Sequence, residues 1–193
     1  MERAQVRLTE SFGARTHLRS SLSAGDQTGQ MLLISLFPNA IARGEYVDEM
    51  VKPENGPKNV LVQMQRAGTV TLISRVWLNE EPATEELPAV PVVLSSSRVR
   101  FTAGHEAEGR AALMSAKSIR ESLGVESHVY VVANGGPLTG VRMLTTHASS
   151  YRELAETMAR ISERTEGHGP LPMAFDAGTL VQVGSIVSTL VAL

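Results

Sequence analysis

The feature that most constrains this chain is a repeat of its own sequence at a spacing of about 110 residues. Thr28-Gly29 recurs as Thr139-Gly140, 111 positions on, each after a turn-like stretch: Gly25-Asp26-Gln27 in one case, Gly135-Gly136-Pro137-Leu138 in the other. The same offset pairs His17 with His128. Ala67-Gly68-Thr69-Val70 answers Ala177-Gly178-Thr179-Leu180 at an offset of 110, so the register holds to one residue over some fifty positions. A period of this size in a chain of 193 residues implies two copies of one supersecondary unit. Between them runs Asn79-Glu80-Glu81-Pro82-Ala83-Thr84-Glu85-Glu86-Leu87-Pro88-Ala89-Val90-Pro91, whose prolines interrupt any hydrogen-bonded ladder. The expected organisation is a first repeat over 1–78, an acidic, proline-containing linker over 79–96 and a second repeat over 97–193.

The second copy is the easier to read. Val99 and Phe101 alternate with Arg100 and Thr102 as in a strand. Ala112, Leu113, Ala116, Ile119 and Leu123 then fall at helical spacing, and Gly124 supplies the stop. Two strands over 127–133 and 141–147 flank Asn134-Gly135-Gly136-Pro137, whose glycines suit a hairpin turn. Ser149 or Ser150 caps a further helix bearing Tyr151, Leu154, Ala155, Met158 and Ile161 on one face, and a last strand spans about 179–190. The order β-α-β-β-α-β is that of a ferredoxin-like unit.

In the first copy the same reading gives Val6 and Leu8, strands over 16–23 and 31–37, a helix from Ala40 to Val51 stopped near Pro53, and strands over 60–64 and 69–78. One element has no room. Thr9 and His17 are eight positions apart, whereas Thr102 and His128 are 26 apart, so 18 residues corresponding to the first helix are absent. The helix stripe of the second copy is worth about 5 kcal/mol of burial. Its loss is expected to leave Leu18, Met31 and Leu33 uncovered, and a patch of that kind calls for a partner, here a homo-oligomer.

This strand and helix order, with the hairpin Gly135-Gly136-Pro137-Leu138-Thr139-Gly140-Val141-Arg142-Met143 and the helix from Tyr151, resembles the dimeric α/β-barrel superfamily, in which two ferredoxin-like sheets face each other around a pocket. The resemblance implies an α+β fold of two tandem ferredoxin-like units forming a pseudo-dimeric α/β barrel, the first lacking its first helix. It also implies binding of a small molecule, with cofactor-independent monooxygenases and isomerases among the activities of that group. Haem-degrading relatives use Asn, Trp and His positions onto which neither Trp77 nor any histidine here can be aligned. The alternative is a noncatalytic subunit that self-assembles or binds a partner.

Strand alternation nominates the pocket. If Val99, Phe101, Val129, Val131, Val141 and Met143 meet the helices, then Arg100, His128, Tyr130, Arg142, Leu144 and Thr146 face inward, joined from the first copy by Arg7, His17 and Arg19. The substrate-binding candidates are therefore His17, Arg19, Arg100, His128, Tyr130 and Arg142. Histidines there would act as acid or base, and arginines would hold an anionic or enolate-like ligand. His105 and His168 read first as loop or cap residues, and His147, between a strand and the Ser149-Ser150 cap, as structural before it reads as a pocket residue.

Other function classes are disfavoured. Eighteen basic against 20 acidic residues leave no surplus for nucleic acid. No P-loop, dinucleotide fingerprint, G-x-S-x-G or H-E-x-x-H occurs, so neither cofactor nor metal is expected. The chain has no cysteine, its first residues lack the apolar run of a signal peptide, and its most apolar stretch, 180–193, is shorter than a membrane span. A cytoplasmic location is the expectation.

Overall fold

The computed structural model describes residues 10–23, 28–52, 63, 65–68, 76–82 and 86–191. Its elements are β1 (Arg15–Ser23), β2 (Met31–Leu36), α1 (Ala40–Val51), β3 (Trp77–Glu80), β4 (Val93–Phe101), α2 (Glu106–Ser122), β5 (Ser127–Asn134), β6 (Arg142–Ala148), α3 (Tyr151–Arg164), α4 (Pro170–Asp176) and β7 (Leu180–Leu190). A short 3₁₀ turn, Gly136–Leu138, joins β5 to β6. The chain is thus mixed α+β. Its seven strands form one antiparallel sheet in the order β2-β1-β7-β4-β6-β5-β3.

That sheet is curved. His17 on β1 lies close enough to His147 on β6 for their charges to interact. The two strands stand three places apart in the sheet, about 14 Å if it were flat.

Residues 93–190 follow the expected β-α-β-β-α-β order with one addition, α4, which prolines at 170 and 172 and an alanine and glycine at 177–178 had disguised as loop. On α2 the buried positions are Gly109, Leu113, Ala116 and Arg120, a 3.6-residue stripe. Leu113 and Ala116 pack with Val99, Val129, Leu144, Leu171, Ala174 and Leu180 into the main core. Gly109 has no side chain because none fits: a Cβ there would stand 2.7 Å from Phe101 Cδ1 and 3.0 Å from Leu180 Cδ2. Helix α3 starts at Ser150, whose Oγ accepts the Glu153 N–H at 3.1 Å, while Glu153 Oε2 accepts the Ser149 N–H at 2.6 Å. Leu154 of α3 packs on Val93 and Ala148.

In the first half, β1, β2 and α1 lie where the sequence places them. Asn39 caps α1 by accepting the Ala42 N–H at 2.9 Å. One expectation changes. The stretch 60–64 was expected to be a strand, but Gln63, its one described residue, is helical, with its carbonyl accepting the Ala67 N–H at 2.9 Å. A short apolar run such as Val60-Leu61-Val62 has no period that separates strand from helix. β3 runs to Glu80 and β4 begins at Val93, so residues 81–92 join them. The strand expected around Val6 and Leu8, Arg7 included, and most of the one over 69–78 lie outside the described residues.

Several backbone hydrogen bonds recur at the offsets of the sequence repeat. Gly29 N–H donates to Ser21 O at 2.7 Å and Ser21 N–H to Gln30 O at 2.9 Å; 111 positions on, Gly140 donates to Val132 O and Val132 to Val141 O, both at 2.8 Å. Gly29 and Gly140 share φ +82°, a left-handed value that only glycine holds without strain. Gly68 to Gln65 O and Gly178 to Phe175 O repeat at an offset of 110, both at 3.0 Å. The sheet joints match too. Arg19↔Leu190, Ser20↔Thr189, Ser21↔Ser188 and Ser23↔Val187 join β1 to β7; Tyr130↔Glu80, Val131↔Asn79, Val132↔Leu78 and Asn134↔Trp77 join β5 to β3, with the bulge at the equivalent step.

Candidate functional site

Side chains of directly paired residues in an antiparallel ladder point to the same side. Val99, Val129 and Leu144 face α2 and α4 in the core, so their neighbours along each strand face the other way. The pairs Ser21↔Ser188, Ser188↔Leu94 and Leu94↔His147 carry this opposite face from β1 across to β6. Ser96↔Thr145, His128↔Thr145, Arg98↔Met143, Tyr130↔Met143 and Glu80↔Tyr130 carry it on to β3. One concave face thus gathers His17, Arg19, Arg98, His128, Tyr130, His147 and Glu80.

Four of the six sequence candidates, His17, Arg19, His128 and Tyr130, lie there together. Arg142 does not. It pairs with Val99 and so shares the helix side, where its guanidinium stacks 4.3 Å over the Phe101 ring and its Nε lies 3.8 Å from Glu81 Oε2. The parity of β6 was misread because Leu144 to Ala148 are all buried, and a strand covered on both faces shows no alternation. Arg100 keeps the concave parity but is exposed, with Nη2 donating to Pro137 O at 2.7 Å.

Arg19 is fully buried and hydrogen-bonded at all three of its nitrogens. Its Nε donates to Ser188 Oγ at 2.9 Å, Nη1 to Pro91 O at 2.7 Å, and Nη2 to Ser188 O at 2.9 Å and Val92 O at 3.1 Å. It ties β1 and β7 to the connection between β3 and β4, spending four of its five N–H donors on these bonds. Burial lowers its pKa to about 10, so it stays charged at neutral pH.

The histidines are differently placed. His128 faces a carboxylate oxygen at each ring nitrogen: Glu80 Oε1 is 2.5 Å from Nδ1 and Glu126 Oε1 is 2.9 Å from Nε2. The Tyr130 ring stacks on His128 at 6.0 Å and His147 tilts against it at 4.9 Å between centroids. His147 Nδ1 approaches the same Glu126 Oε1, at 3.3 Å, without hydrogen-bond geometry. Its backbone N–H donates to Glu126 O at 3.0 Å, which fixes the two residues side by side.

Burial, with the charge of His128 and against the pull of Glu126, lowers the His147 pKa to about 4. The contact with Glu126 is therefore no ion pair at neutral pH. Burial, then Arg19 and His147, does the same to His17, also to about 4. For Glu126 burial opposes ionisation, but the hydrogen bond to His128 and the two imidazoles outweigh it and the carboxyl sits below its ordinary range. Burial first, then Glu80 and Glu126, pushes the Tyr130 phenol upward, so it is a hydrogen-bond donor at any ordinary pH.

Seven buried side-chain atoms have no hydrogen-bond partner among the described residues, and five are on the concave face: His17 Nδ1, Ser21 Oγ, Ser96 Oγ, Arg98 Nε and His147 Nδ1. The cluster Glu126, His128 and His147, whose ligand atoms lie within 4.8 Å of one another, is also of a composition that holds metal ions. Sequence reasoning passed over Glu80, Glu126 and Arg98 and favoured a structural role for His147. Glu80 and Glu126 sit in an acidic linker and at a strand end, where carboxylates signal only solvent. His168 lies apart, its Nδ1 against Glu166 O at 2.8 Å.

No protein-family model and no curated protein matches the chain. Among solved structures it is similar to a candidate monooxygenase from Lactobacillus acidophilus NCFM, at 11% identity and a TM-score of 0.48, over 98% of this chain and 87% of the other. Among the described residues no helix is long and apolar enough to cross a membrane.

Proposed function

We propose that this chain is a tandem ferredoxin-like pseudo-dimer whose concave sheet face binds a small, enolisable or anionic molecule in the cytoplasm. The repeated turns, caps and sheet joints support the duplication. The observation that carries the binding reading is the set of five uncommitted buried polar atoms. Each costs about 1–3 kcal/mol if left alone, and all five lie on one face. A ligand bearing acceptors and an acidic proton would satisfy them.

Arg98, not Arg100 or Arg142, is the inward cation with an unpartnered nitrogen, and neutral His17 or His147 is the base that would take the proton. Returning the proton at another carbon is isomerisation. In the monooxygenase variant an activated CH₂ becomes C=O, one atom of O₂ entering the product and the other leaving in water.

EDTA-treated protein titrated calorimetrically with 1,3-cyclohexanedione should bind saturably, and His17→Gln and Arg98→Met should each weaken binding at least tenfold. Deuterium uptake at C2 of the dione, above the buffer rate, would mark the proton transfer. Absence of binding, together with a crystal structure in which ordered water alone satisfies the five atoms, would sink the proposal.

A second reading concerns assembly. Met31 and Leu33 on β2 are 52% and 39% exposed, on the side that α2 covers in the other half, and Leu18, paired with Leu33, is half-buried there. We propose that a second copy covers them. Light scattering should give a dimer or larger that Leu33→Lys dissociates; a monomeric wild type would refute this.

A further inference from the structure

We infer that Glu126, His128 and His147 form a binding site for one divalent transition-metal ion of the zinc, cobalt or ferrous class, at the rim of the concave face. The argument begins with proton counting. A neutral imidazole has one N–H, yet His128 presents both nitrogens to carboxylate oxygens, at 2.5 and 2.9 Å. If Glu80 accepts the Nδ1 proton, the Nε2 lone pair faces Glu126 Oε1, and a cation belongs between them. That cation could be a second proton on His128. But His147 Nδ1 lies 3.3 Å from the same oxygen, its side chain only 7% exposed, with no hydrogen bond of its own. One proton on His128 cannot serve that nitrogen as well, and a proton on His147 Nδ1 itself would not meet Glu126 with hydrogen-bond geometry. A metal ion can serve both.

The supporting parts have the form that metal sites use. A carboxylate on the far nitrogen of a ligating histidine fixes its tautomer and raises its basicity, and Glu80 stands in that place. Two imidazoles and one carboxylate are donors for zinc or ferrous iron rather than for magnesium or calcium. The three ligand atoms lie within 4.8 Å of one another, whereas atoms about 2.1 Å from a shared ion stand roughly 3.0–3.4 Å apart. Closing the site therefore asks for a shift of at most about 1.8 Å. The Glu126 side chain, 44% exposed at the end of β5, is free to supply it. Three protein ligands leave at least one position for water or for a bound molecule. This inference stands on the cluster alone and does not need the ligand proposed above.

The test is titration of the EDTA-stripped full chain with Co²⁺, followed by its visible d–d absorption and by metal analysis. One equivalent should bind with a Kd of about 10 µM or tighter, and Zn²⁺ should displace it. Glu126→Gln and His147→Ala should each weaken binding at least tenfold, and Glu80→Gln by about 10- to 100-fold through His128. His168→Ala, remote from the cluster, should change nothing. If His147→Ala does not fold, Glu126→Gln at the exposed rim decides. No Co²⁺ spectrum, or unchanged affinity in a folded Glu126→Gln, overturns the inference.

Discussion

At the scale of single residues, the concave face stores groups that fold only in their neutral form. His17 titrates at about 4 when folded against 6.5 when free, because burial and the charges of Arg19 and His147 disfavour its cation. The unfolded chain therefore binds a proton that the folded chain refuses between those values. Stability contributed by His17 is complete above pH 6.5 and is lost as pH falls toward 4. Urea midpoints measured from pH 7 to 4.5 should fall less steeply in His17→Gln than in the wild type; parallel slopes would show that His17 is not held neutral. Gly109 makes a second point. Alanine there would gain about 1 kcal/mol of helix propensity, but its Cβ would meet the Phe101 ring at 2.7 Å, and overpacking costs about 1–3 kcal/mol. Gly109→Ala should thus lower stability by about 1 kcal/mol in chemical denaturation, the reverse of the usual helical exchange. Residue identities on the concave face were only partly legible. His17, Arg19, His128 and Tyr130 follow from alternation on strands buried on one side. Arg142 does not, because its strand is buried on both.

At the scale of elements, the caps and turns were legible because their chemistry is local. Asn39 and Ser150 each accept the N–H three residues on, and a Ser or Asn before an apolar stripe announces this without any tertiary information. Asn39→Ala and Ser150→Ala should each cost about 1 kcal/mol, readable as equal shifts of the urea midpoint; a cost at one site alone would mean that the two helices are not held alike. Elements that depend on their surroundings were harder to read. Helix α4, with its two prolines, owes its state to the packing of Leu171 and Ala174, which no short window of sequence records. The cluster Glu126, His128 and His147 is of the same kind, since its members come from β5, the residue before it and β6, and no spacing motif announces them.

At the scale of the whole molecule, two sheet joints hold the halves together, β1 on β7 and β5 on β3. The covalent connection is a minor part of that bond. A protease site introduced between Pro82 and Glu86, cut in the folded protein, should leave both pieces co-eluting at the size of the uncut chain and melting in one transition. Pieces that separate under native conditions would show that the joints do not suffice.

The matching registers also place residues of different chemistry in equivalent seats: Tyr130 opposite Glu80 where Arg19 stands opposite Leu190, and His147 in β6 where β2 has Leu36. An enclosure made by two separate identical chains must present every group twice and cannot tell head from tail. A single chain escapes that constraint, because each half can change alone. The concave face here is accordingly unlike in its two halves: Glu80, His128 and His147 stand where the other half has Leu190, His17 and Leu36.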